Sequence, residues 1–170
     1  MRRVAPGALA LLWVAAALGL FHAAWSAYWA PGGTVMADSV GAWATDWARS
    51  APGLASLALW GIAAVKAAAA VVPLLSELGR VPGRRLWRVV SWIGGTGLVL
   101  YGGLNVVVGA AVLTGVIPAS GVEYGALRAH VFLWDPAFAL WGAALCAALV
   151  ITRGANPRRA ARLRAARRDS

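Results

Sequence analysis

Long apolar runs broken by short Gly, Pro and Arg clusters dominate the chain. Crossing about 30 Å of hydrocarbon takes roughly 20 apolar residues at 1.5 Å rise each, and four segments meet that length. The first covers about 8–30, between Pro6-Gly7 and Pro31-Gly32-Gly33, with His22 and Ser26 as its strongly polar interruptions. The second covers about 54–75 and contains Lys66. The third covers about 89–113, opened by Arg84-Arg85-Leu86-Trp87-Arg88 and closed by Thr114-Gly115-Val116-Ile117-Pro118. The fourth covers about 131–151, with its regular helix expected to start at Asp135-Pro136, since Asp is a good N-cap and Pro lacks only a donor that is orphaned at N1. The predicted architecture is all-α, a polytopic bundle of four transmembrane helices in residues 1–152, followed by a basic tail over 153–170.

Composition agrees. Of 170 residues, 61% are hydrophobic and 13% charged, about half the charged content of a soluble domain, which excludes a disordered chain and an ordinary cytoplasmic enzyme. Cys146 stands alone, so no internal disulfide or cysteine-rich metal site is available. The net charge of +10 is a record of threading. Thirteen basic residues fall on one side (Arg2, Arg3, Arg80, Arg84, Arg85, Arg88 and the seven arginines from Arg153 onward) and two, Arg49 and Arg128, on the other. The positive-inside rule therefore places both termini in the cytoplasm of a multi-pass plasma-membrane protein. A competing reading takes the first segment as a cleaved signal peptide ending near Ala24-Trp25-Ser26. Its length and the bulky aromatics there favour a retained helix.

The loops and tail follow the same logic. Trp43 and Trp47 lie four apart in the first outer loop and predict a short interfacial helix. Trp25, Trp29 and Trp134 would form an aromatic belt at that side, with Trp87 and Trp92 at the other. The tail arginines Arg158, Arg159, Arg162, Arg164, Arg167 and Arg168 point to anionic lipid headgroups. Without interleaved aromatics, they do not suggest nucleic acid.

Candidate chemistry lies where polar groups sit at membrane depth, because each costs a few kcal/mol there. His22, Lys66, Tyr101, Asn105 and Asp135 would occupy the outer half on four helices. Each also has a packing alternative. Lys66 either snorkels inward or faces the bundle with a partner. Asp135 is also the N-cap of helix four, while Tyr101 and Asn105, four apart, are also candidates for interhelical hydrogen bonding. His22, Trp25, Ser26 and Trp29 fall on one face of helix one. Gly95, Gly102 and Gly109 recur every seven residues, which predicts that helix three is the central packing element.

Phe21-His22-Ala23-Ala24-Trp25-Ser26-Ala27-Tyr28-Trp29-Ala30-Pro31-Gly32-Gly33 and Trp134-Asp135-Pro136 resemble a family of small, mostly actinobacterial, four-helix integral membrane proteins of unknown function. The resemblance spans most of 8–151. It implies a retained first helix and draws attention to His22, Gly32, Gly33 and Asp135, but carries no activity, and Lys66 is not part of its pattern.

Three functions compete. The first is a non-enzymatic bundle that binds a lipid or hydrophobic small molecule, or assists a membrane partner or a second copy of itself. A proton- or ion-coupled transport component using Lys66, His22 and Asp135 is the second. The third is a haem protein ligated by His22 and His130, strained because the two differ in depth by about 12 Å. No His-Glu-x-x-His, Cys-x-x-Cys, Gly-x-Ser-x-Gly or phosphate-binding loop occurs, so no catalytic residue, metal or cofactor is assigned.

Overall fold

A computed structural model describes residues 4–153. Six α-helices follow in order: α1 (Pro6–Trp29), α2 (Ala42–Ser50), α3 (Pro52–Glu77), α4 (Arg84–Leu113), α5 (Tyr124–Ala129) and α6 (Asp135–Arg153), with a short 3₁₀ turn at Ala37–Val40. A π turn at His130–Trp134 fuses α5 and α6, so that Tyr124–Arg153 forms one of four helices long and apolar enough to cross a bilayer. The other three are α1, α3 and α4. Both tryptophans of α2 are exposed on the short helix that their spacing predicts. The basic tail beyond Arg153 lies outside the described residues.

Helix four does not begin at Asp135. The backbone of Asp135 is helical, and its N–H donates to the carbonyl of His130, five residues back. Pro136 has no N–H to offer the preceding turn, and its ring crowds the carbonyl there. Widening that turn by one residue accommodates both effects without ending the helix, as π bulges do. Asp135 is consequently an interior helical residue, not an N-cap. The α4 helix also starts earlier than its apolar run, at Arg84, because its first turns carry arginines with partners on other helices.

The helices pack in the order α3, α1, α6, α4, with α6 touching both α1 and α4. Their core is made of Leu12, Ala15 and Ala16 of α1, Ala70 and Leu74 of α3, and Trp141, Leu145, Ala148 and Leu149 of α6. Small residues on α1 bring it close to its neighbours. A Cβ on Gly19 would stand 2.6 Å from both Ala70 and the Trp141 ring.

The central position therefore belongs to α1 and α6, not to the third spanning helix. The heptad glycines of α4 do mark a close seam, but a single one, against α6. A Cβ on Gly102 would collide with the carbonyl of Asp135, and one on Gly109 with Val131. Around that stripe, Ile93, Leu100, Leu104 and Val107 face outward. Glycine spacing reveals where two backbones approach but not how many neighbours a helix has.

Gly102→Ala should destabilise the fold by several kcal/mol, since the obstructing atoms are backbone. Gly103→Ala, which meets nothing within 4 Å, should be neutral or stabilising by up to about 1 kcal/mol through helix propensity. Thermal unfolding of the two variants in the same detergent checks the contrast.

Candidate functional site

Three groupings of polar or accessible residues emerge, and the predicted cluster is only part of the first. In the half of the bundle nearer the α2 end, α1 and α3 run antiparallel with Gly19 beside Ala70. That register sets Lys66 close to Ala23, one turn from Ser26. The Lys66 Nζ donates to Ser26 Oγ at 3.0 Å and lies 5.5 Å from the centre of the Phe138 ring. The side chain thus faces the bundle and does not snorkel toward the Arg84 end. Ser26 in turn donates to the His22 carbonyl at 3.2 Å. A lysine at membrane depth costs about 2.5–3.5 kcal/mol on insertion scales, which the hydroxyl and the aromatic face partly offset.

His22 is buried, its ring stacked on Phe138 with centroids 3.8 Å apart. Trp134, Trp141 and Phe21 surround it, and Nε2 has no hydrogen-bond partner. Because an axial histidine binds iron through its in-plane nitrogen lone pair, the burial of Nε2 inside this packed layer, more than the stacking on the ring face, leaves no room beside it for a macrocycle. His130 is occupied elsewhere, with Nδ1 3.3 Å from Asp135 Oδ2. Asp135 is 2% exposed, its other oxygen has no partner, and no ion pair joins it to Lys66 among the described residues. Tyr101 is exposed and meets the group only edge-on through Phe138, at 5.8 Å. Asn105 is half-buried. The structure brings His22 and Lys66 together, leaves Asp135 paired with His130, and keeps Tyr101 at the margin.

Trp134 is buried and not part of an interfacial belt. The π turn aims it into α1, where Phe21, His22, Trp25 and Trp29 all lie within 6 Å of its ring centre. Its Nε1 donates to Ser39 Oγ at 3.1 Å, which ties the first loop over this end. Gly32 and Gly33 serve the same closure. Gly32 adopts φ +100°, and a Cβ on Gly33 would collide with the Tyr28 carbonyl. The tight return brings Val35 back between Trp29 Nε1, which donates to its carbonyl at 2.9 Å, and the Tyr28 hydroxyl, which accepts its N–H at 3.2 Å.

At the opposite end lies a charged cluster that sequence reasoning treated only as topology. Glu77 is 2% exposed. One of its oxygens accepts from Arg84 at 2.7 Å and the other from Arg88 at 2.6 Å. Arg88 also donates to Thr152 Oγ1 at 2.7 Å and to the Leu149 carbonyl at 2.8 Å, so one carboxylate joins α3, α4 and α6. The available signal was that Glu77 is the sole acid between Asp46 and Glu123, with Arg80, Arg84 and Arg88 close behind it.

Beside this cluster, α3 and α4 meet only sparsely although consecutive in the chain. A groove of about 230 Å³ separates them. Its walls are Ala69, Val72 and Pro73 on one side and Trp87, Ser91 and Gly94 on the other, with Trp141 and Leu145 as floor. Helix periodicity cannot announce such a groove, which exists because two helices fail to close.

An all-helical membrane protein with four apolar spans is the class these features define. The chain belongs to the family described as Protein of unknown function (DUF3995), whose model matches residues 19–145, more than half of its length. That match takes in the His22 to Gly33 segment and the Trp134-Asp135-Pro136 turn. No curated protein and no solved structure matches the chain.

Ser26→Ala would leave the Lys66 amine without its hydroxyl and should destabilise by about 1–3 kcal/mol, whereas Lys66→Met, which removes the polar group while filling the same space, should be neutral or stabilising. Melting temperatures of the purified variants decide. Glu77→Ala would strand two guanidinium groups and should cost about 3–5 kcal/mol, visible as a collapse in folded yield on size-exclusion chromatography.

Proposed function

We propose that this protein is a non-enzymatic membrane-embedded bundle that holds a lipid acyl chain in the groove between α3 and α4. The observation that carries the reading is the groove itself. Its walls are largely apolar, it opens between two helices at membrane depth, and the small residues Gly94, Ala68 and Ala69 leave it unfilled. From Trp87 to Leu98 it runs about 16 Å along α4, roughly half the hydrocarbon thickness, the reach of one leaflet.

The arginine distribution supports an orientation with both termini in the cytoplasm of a bacterial plasma membrane, so that the groove opens to the inner leaflet. The tail arginines Arg158 to Arg168 would then lie against anionic headgroups of the same leaflet. A transport role finds less support, because it asks Lys66 and Asp135 to act together and the Asp135 carboxylate is engaged by His130.

Gly94 provides the test. A Cβ there would meet nothing within 4 Å and Gly94 lines the groove, so Gly94→Leu should extend into the groove without displacing backbone. Wild type purified from phosphatidylcholine vesicles should retain phospholipid through detergent exchange, measured by extraction and mass spectrometry. Gly94→Leu should lose most of it while melting at the wild-type temperature or above. Equal retention by the two proteins would overturn the groove reading.

A further inference from the structure

The groove is apolar along its length but charged at one mouth. On α4 its lining residues Trp87, Ser91, Gly94 and Leu98 recur every three or four positions, and the next position back along that stripe is Arg84, at the first turn of the helix. The Arg84 side chain, joined to Glu77 at the end of α3, therefore stands at the end of the groove, one turn beyond Trp87. The indole of Trp87 is fixed beside it by donating to the Pro82 carbonyl at 3.1 Å.

Charge at this mouth does not cancel. Glu77 is a single carboxylate shared between two arginines, so the cluster carries one net positive charge. Arg88 directs its donors inward, to Glu77, Thr152 and Leu149, and its side chain is 15% exposed. Arg84 directs Nε and one terminal nitrogen to Glu77, and its side chain is 30% exposed. Its other terminal nitrogen makes no hydrogen bond among the described residues. Arg84 is the member of the cluster through which the uncompensated charge reaches the surface. An anchored guanidinium is well suited to phosphate oxygens, which accept its planar donors.

We infer that the groove selects an anionic glycerophospholipid, with one acyl chain between α3 and α4 and its phosphate on Arg84. This rests on the acyl-chain reading above and adds the headgroup to it. The leaflet-long groove and the charge at its mouth fit one amphiphile, apolar along its chain and anionic at its end.

The test uses the full chain, reconstituted into vesicles of equal phosphatidylglycerol and phosphatidylcholine with matched acyl chains, then purified and its retained lipid quantified. Wild type should retain phosphatidylglycerol over phosphatidylcholine by about fivefold at low salt, the size of one basic contact with an anionic lipid, falling toward parity as salt screens it. Arg84→Gln should bring the ratio to parity with total retained lipid unchanged. Arg85→Gln, an exposed neighbour off the groove stripe, should keep the wild-type ratio. If Arg84→Gln does not fold, Arg84→Lys takes its place, and retention of the preference by that variant supports the assignment. A wild-type ratio of one, a preference surviving in Arg84→Gln, or its loss in Arg84→Lys would overturn the headgroup inference. None of these results touches the acyl chain, which fails only if Gly94→Leu retains lipid as wild type does.

Discussion

The structure depends on a buried carboxylate. Glu77 ends α3 in a place where an unpaired charge would be untenable, and its two oxygens are satisfied by arginines one turn apart at the start of α4. Because Arg88 also reaches Thr152 and the Leu149 carbonyl on α6, three helices are tied at one end. Tying them there, while α3 packs on α1 and α4 packs on α6, leaves α3 and α4 joined at their turn and sparsely packed beyond it. The groove begins beyond that tie, where the two helices pack on different neighbours and do not close on each other.

The opposite end obeys the complementary constraint, that backbone polar groups at membrane depth must be satisfied within the protein. Pro136 removes a donor from the fourth span, and the π turn at His130–Trp134 absorbs the loss. That same turn brings Trp134 and Asp135 both to the interior, where the tryptophan anchors the aromatic cluster of α1 and the carboxylate meets His130. The Trp-Asp-Pro segment is thus one structural device. Its neighbour, the Gly32-Gly33 return, fastens the first loop onto Tyr28 and Trp29.

Lys66 illustrates how membrane-depth charges are tolerated. It has no carboxylate partner among the described residues, but a hydroxyl and an aromatic face lie within reach. These satisfy part of its demand. His22, stacked and enclosed, belongs to the same packed layer.

The four spans, the short α2 helix and the glycine seam of α4 are legible from residue order alone, because hydrophobic length, tryptophan spacing and the absence of a side chain are local properties with direct geometric consequences. Residue order also singled out His22 and Lys66, since a polar residue in an apolar run is visible without a fold. It took the packing of the folded chain to show that Asp135 pairs with His130 inside a continuous helix, that α1 and α6 hold the centre, and that Tyr101 stands at the margin. The same packing turned Glu77, Arg84 and Arg88 from a count of loop charges into a three-helix junction, with an apolar groove beside it. These features arise from the relative placement of helices remote in the chain, which hydrophobic periodicity leaves open because, in lipid, an apolar face fits a neighbouring helix and the bilayer equally well.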